Sequence, residues 1–155
     1  MLAPARLLAL AVPVLLMAGA LGSQYLGGLF PCEMCMWQRW PHYGAIAAAI
    51  AAILLARTPL TLLLTILAGL LILTSGGVGV WQAGAEYHWW QGPEKCTSMV
   101  SGHGGDLLRS ILAQPLVRCD QPQWTLMGVS LAGWNALFSL AGGLGVLALC
   151  LTRPR

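Results

Sequence analysis

Pro31-Cys32-Glu33-Met34-Cys35-Met36-Trp37-Gln38-Arg39 stands directly between two hydrophobic runs. Two thiols three residues apart can close a small disulfide ring with little chain entropy to lose, and neighbouring charge can tune their reduction potential. The stretch therefore points to a redox centre at a membrane surface, and it marks where one apolar segment ends and the next begins. Half of a zinc site and a purely structural disulfide are the plainer readings. Zinc needs a second Cys or His pair at short spacing. Cys96, Cys119 and Cys150 each stand alone, and His42, His88 and His103 form no H-x₃-H cluster, so no metal site is expected.

Composition sets the class around that motif. Charged residues are 8% of the chain and hydrophobic ones 57%, against roughly 25% charged in soluble domains, so a water-soluble surface cannot be assembled. The expectation is an all-α integral membrane protein, a single domain over 1–155. That length holds about four spans of roughly 20 residues each and little else. A net charge of +3, scattered along the chain, gives no basis for nucleic acid binding.

The predicted spans are roughly 7–28, 36–56, 60–80 and 124–151, with outer loops at roughly 29–35 and 81–123. Arg6 and the small residues Ala18-Gly19-Ala20 give the start a signal-peptide look. Apolar character continuing through Tyr25 to Phe30 favours an uncleaved first span. Arg57-Thr58-Pro59 is a minimal turn, which makes spans two and three an antiparallel hairpin. Gly76-Gly77-Val78-Gly79 in span three and Gly142-Gly143-x-Gly145 in span four allow close helix approach. Trp81, Tyr87, Trp89, Trp90 and Trp124 flank the long loop as an interfacial aromatic belt.

Arg6, Arg57, Arg153 and Arg155 lie with no acid on the side that holds both termini and the short turn, which places that side in the cytoplasm. Both loops then face the oxidising compartment, where disulfides persist, and carry four of the 5 cysteines. Cys150, near the inner end of span four, reads as a small buried apolar residue. In the long loop, Cys96 and Cys119 bracket a glycine-rich stretch and Asp106-Leu107-Leu108-Arg109-Ser110-Ile111-Leu112, which reads as a short amphipathic surface helix capped by Asp106. Joined, the two cysteines would stabilise the loop by about 3 kcal/mol. Taken alone, that pair reads as structural; beside an exposed Cys-x-x-Cys it reads as a partner in thiol–disulfide exchange.

Pro-Cys-x-x-Cys-x-x-Gln-Arg before span two, an outer loop with two cysteines, and Cys119-Asp120 followed by Trp124-x-Leu126-x-Gly128-x-Ser130-Leu131-Ala132-Gly133-Trp134-Asn135 together resemble the DsbB family of bacterial disulfide bond formation proteins. The resemblance covers nearly the whole chain. It implies a four-helix bundle in the bacterial inner membrane, with cytoplasmic termini and periplasmic cysteine loops. It also implies reoxidation of a periplasmic DsbA-like dithiol oxidase at the expense of a membrane quinone, ubiquinone or menaquinone. By position, Cys96 and Cys119 would meet the DsbA-like partner, with Cys96 forming the mixed disulfide, and Cys32 and Cys35 would sit beside quinone.

Arg39 falls one helical turn after Cys35 on the same face. A cation there favours thiolate and can hydrogen-bond a quinone carbonyl; the plainer reading is an arginine snorkelling to headgroups. Glu33 opposes thiolate formation. At Gln82 the chain departs from the family's pattern, in which many members are expected to carry histidine; Gln82 can still donate to a quinone oxygen, and His88 is a second candidate. Two rival readings are a vitamin K epoxide reductase-like protein, in which the Cys-x-x-Cys motif comes late in the chain, and a non-catalytic membrane assembly factor held by structural disulfides.

Overall fold

A computed structural model describes residues 2–92 and 118–152. Among the described residues, four long helices form the frame: α1 Ala3–Tyr25, α2 Glu33–Leu54, α3 Leu60–Glu86 and α4 Leu131–Leu151. A two-stranded hairpin, β1 Thr125–Leu126 and β2 Val129–Ser130, leads directly into α4. Helix α3 is the centre of the bundle, packed extensively against both α2 and α4, and α1 closes the other side against α2 and α4.

The interior is built from small side chains. Ala5, Ala9, Ala45, Ala48, Ala49, Ala68, Ile72, Val146 and Cys150 form the main buried cluster. Leu7, Leu15, Leu63, Leu70, Leu137 and Leu144 point outward and are exposed. A surface of large aliphatic residues over an alanine interior is the arrangement a lipid solvent selects, because helices there gain by close packing and not by hiding apolar groups from water. Among the described residues, α1, α3 and α4 are long and apolar enough to cross a membrane. Helix α2, at 22 residues, matches them in length, but Glu33, Gln38, Arg39 and His42 dilute its apolar character.

Close approach is tightest between α3 and α4. A methyl group added at Gly79 would lie 3.0 Å from the Ala132 carbonyl oxygen and 3.1 Å from the Ala136 nitrogen, both backbone atoms that cannot give way locally. Gly76 presses on Ser139 and Leu140, whereas Gly77 meets nothing within 4 Å. Gly79→Val should therefore push the two helices apart and cost about 1–3 kcal/mol, lowering the thermal midpoint in detergent, while Gly77→Ala should leave it unchanged. Equal midpoints for the two variants would show that the α3–α4 contact does not limit stability.

Helices α1 and α2 lie two to four residues earlier than the spans read in the sequence, and two other boundaries differ more. The 124–130 stretch, expected to begin the last span, is a hairpin instead: Thr125 pairs with Ser130 and Leu126 with Val129 around Met127-Gly128. Both turn residues have positive φ, 53° and 79°, as a two-residue hairpin turn requires. Ser130 then caps α4, its Oγ accepting from the Gly133 nitrogen at 3.1 Å. At the other boundary, α3 runs on to Glu86, six residues past the expected end of its span, because Gln82 to Glu86 are all buried. Trp90 folds back over Gly84 and donates to the Trp81 carbonyl at 2.9 Å. The Tyr87 hydroxyl donates to Gly128 O at 2.8 Å and accepts from Ser130 N at 2.9 Å, locking the hairpin onto the end of α3. The expected amphipathic helix around Asp106 lies outside the described residues.

Candidate functional site

Cys32 is the N-cap of α2. Its sulfur accepts from the Cys35 nitrogen at 3.1 Å, which places both thiols in the first turn at the positive end of the helix. Cys32 is fully buried and Cys35 half-buried, and both are free thiols. The hydrogen bond with Cys35, followed by burial, pushes the Cys32 thiol well above its usual range. Cys119, which is disulfide-bonded, packs into the same small cluster as Cys32, Met34 and Cys35. The two cysteine regions expected to exchange electrons are thus in contact through Cys119; Cys96 lies outside the described residues. Beside Cys119, the Arg118 guanidinium donates to Asp120 and holds its carboxyl below the usual range on an exposed surface.

Gln82 stands over the pair. Its Nε2 lies 3.5 Å from the Cys32 sulfur, 3.6 Å from the Cys35 sulfur and 3.0 Å from Glu86 Oε1. Its own Oε1 accepts from Gln38 Nε2 at 2.6 Å. From Gln38 the hydrogen bonds continue inward: Asn135 Nδ2 donates to Gln38 Oε1 at 2.7 Å, and Asn135 Oδ1 is 3.0 Å from His42 Nε2. Ser75 Oγ donates to the Gln38 carbonyl at 2.9 Å and Ser139 Oγ to Asn135 Oδ1 at 3.0 Å. Polar groups in an apolar bundle stay only when their partners satisfy them, and this network ties α2, α3 and α4 together directly beneath the cysteines.

Arg39 turns the other way, toward α1. Its guanidinium donates to Gln24 Oε1 and, at 3.2 Å, to the Ala20 carbonyl, and the residue is only 8% exposed. The headgroup-snorkelling alternative does not describe this side chain, which is held inside the bundle and makes no ion pair among the described residues. Arg39, Cys32, Cys35, His42, Gln82 and Glu86 all line one cavity of about 220 Å³. Leu15, Leu16, Trp134 and Phe138 form its apolar walls, and Gln121 to Trp124 roof it. The roof is fastened by Gln123 Nε2 donating to the Phe30 carbonyl at 2.7 Å. His88 is exposed and is not among the residues lining this cavity; its Nδ1 lies 3.1 Å from the Glu86 carbonyl.

Glu86, Gln24, Asn135 and the serines were not singled out as site residues from the sequence. Their signal was present as helical spacing: Gln38/His42, Gln82/Glu86 and Asn135/Ser139 are each four residues apart in otherwise apolar helices, so each pair shares a face.

A helix-capping Cys-x-x-Cys in contact with a disulfide-bonded cysteine, set in a bundle of long apolar helices, defines a membrane thiol–disulfide oxidoreductase. The profile described as disulfide bond formation protein DsbB matches residues 3–150, and the chain belongs to that family. A "Disulfide bond formation protein B" of Polaromonas sp. strain JS666 is 33% identical over 159 residues, covering 94% of this chain and 90% of the relative. That of Polaromonas naphthalenivorans strain CJ2 is 34% identical over 160 residues, with 95% and 91% covered. That of Verminephrobacter eiseniae strain EF01-2 is 32% identical over 159 residues, with 94% and 85% covered. No solved structure gives a significant match. Membership decides against the vitamin K epoxide reductase-like alternative and makes this a membrane protein of disulfide bond formation.

Proposed function

We propose that the protein is a quinone-dependent dithiol oxidase of the bacterial inner membrane that reoxidises a periplasmic DsbA-like partner. Electrons pass from that partner to Cys96/Cys119, then to Cys32/Cys35, then to ubiquinone or menaquinone. In this topology α2 completes four membrane crossings, both termini are cytoplasmic and both cysteine loops are periplasmic. The observation that carries the reading is the shared cavity, in which the Cys35 thiol and an arginine that has no carboxylate partner among the described residues line the same space.

The lining suits a quinone. Trp134, Phe138 and Leu15 offer flat and aliphatic walls to a ring. Arg39 offers a cation to an oxygen that becomes negative on reduction, and the fork of a guanidinium can serve that oxygen while keeping its bond to Gln24. His42 Nδ1, on another cavity-lining residue, is buried with no hydrogen-bond partner among the described residues. When bound, a quinone accepts two electrons and two protons. The chain's own residues do the rest. Cys119 delivers a disulfide to the edge of the inner pair, Gln82 holds both inner sulfurs toward the cavity, and the walls exclude bulk water.

The test is turnover. Purified protein in lipid nanodiscs, given a reduced DsbA-like donor, should reduce ubiquinone-1 or a menaquinone analogue with one donor disulfide formed per quinone. Donor oxidation without quinone reduction, or no turnover with either quinone, would remove the reading and favour a structural role for the cysteines.

A further inference from the structure

Glu86 is the one acidic residue buried among the described residues, 7% exposed at the end of α3. Its carboxylate is incompletely satisfied: Oε1 receives Gln82 Nε2 at 3.0 Å, Oε2 is buried with no close hydrogen-bond partner among the described residues, and Ser130 is the other polar neighbour that steadies the ionised form. A carboxylate in such a place is costly when ionised; when protonated it becomes a hydrogen-bond donor beside the cysteine pair. Gln82 Nε2 divides its two protons among three acceptors, the two cysteine sulfurs and Glu86 Oε1, so carboxyl and sulfurs are at most one side chain apart. All of them line the cavity that also holds Arg39, and the hydrogen bonds from Ser130 and Gln82 support the ionised form against the cost of burial. A buried acid poised between two protonation states, next to a dithiol that must shed and regain protons, is arranged as a proton exchanger and not as a salt-bridge anchor.

We propose that Glu86 is the proton donor and acceptor for the Cys32/Cys35 pair. When the disulfide is reduced, an incoming thiolate attacks one sulfur, the S–S bond breaks, its electron pair goes to the other sulfur, and the Glu86 carboxyl proton goes to that sulfur. The reductant's second thiol then displaces the attacked sulfur, which takes its proton from solvent. On oxidation the S–S bond re-forms, two electrons leave for the oxidant, which is the quinone under the function proposed above, and of the two thiol protons one returns to the Glu86 carboxylate and the other leaves with the electrons. The inference rests on that reading for its oxidant only; the proton exchange belongs to the chain itself.

The experiment uses the full chain in quinone-free nanodiscs, with dithiothreitol as the reductant, so neither a quinone nor a protein donor enters. Reduction of Cys32–Cys35 is followed from pH 5.5 to 9 by maleimide quench and mass analysis of the peptide carrying both. The titratable and charged groups that line the cavity with Glu86 are Cys32, Cys35, Arg39 and His42 of α2 and Arg118 of the roof segment, while α1 and α4 contribute none. Once the rate is divided by the dithiothreitol thiolate fraction, wild type should fall as pH rises through the ionisation of Glu86. Glu86→Gln, which keeps a polar side chain beside Gln82, should be flat across the range and about tenfold slower at its acid end. Glu86→Asp, one carbon shorter with its carboxyl intact, should regain the falling limb even if slower. A wild-type limb retained in Glu86→Gln, or a limb lost in Glu86→Asp at unchanged fold by circular dichroism, overturns the proposal. Failure of quinone turnover with this limb intact would count against the proposed function and leave the proton role standing.

Discussion

Cys119→Ser is expected to stop donor oxidation altogether, a loss of at least about a thousandfold in turnover, while leaving a donor–protein mixed disulfide that survives non-reducing electrophoresis. Without Cys119 the proposed outer pair cannot form, so the thiol at Cys96, once joined to a donor, has no internal partner to displace it. Cys119 is buried against Cys32 and Met34 and so poorly placed to meet a folded donor; the incoming thiol should therefore join Cys96. Cys96→Ser should be equally inactive and trap nothing. Trapping in both variants to the same extent would mean that the roles within the pair are wrongly assigned. The serine at 119 keeps nearly the volume of the thiol, so a loss of fold is not the expected cause of either result.

The contact between Cys119 and the inner pair shows what was and was not legible in the sequence. The Cys-x-x-Cys motif and the residues that carry it were readable because they interrupt two apolar runs, and the antiparallel α2–α3 hairpin was readable from Arg57-Thr58-Pro59. Gly76 and Gly79 announced a close helix approach, which the α3–α4 contact fulfils. Hydropathy failed where polar and apolar residues serve tertiary contacts. Trp124 to Ser130 is apolar enough to pass for the start of a span, yet Met127-Gly128 makes a turn that Tyr87 pins from another element. Gln82 to Glu86 is polar enough to pass for a loop, yet it is the buried last turn and a half of α3. Both errors have one cause: the partners that satisfy these residues lie 40 or more positions away in the chain, as in Tyr87 to Gly128 and Gln38 to Gln82, and no local window contains them.

Arg39 gives the sharpest test of how the cavity works. A guanidinium buried in a bundle of apolar helices costs several kcal/mol unless its donors are used, and α1 accounts for two of them, at Gln24 and Ala20. The remaining donors have no hydrogen-bond partner among the described residues and line the cavity side by side with the cysteines. A charged hydrogen bond to a quinone oxygen is worth about 1.5–3 kcal/mol, so Arg39→Ala should lower kcat/KM for quinone about a hundredfold. Arg39→Lys keeps the charge but has a single nitrogen that cannot serve Gln24, Ala20 and a ligand together. Its apparent KM for quinone should rise several-fold with kcat nearly intact. The step before quinone separates this account from a folding defect: in a single turnover without quinone, reduced donor should still transfer its electrons to the cysteines of Arg39→Lys at the wild-type rate. A lysine variant slow in that step as well would mean that Arg39 organises the cysteines through α1, and a variant with wild-type quinone KM would return Arg39 to a purely structural clamp between α1 and α2.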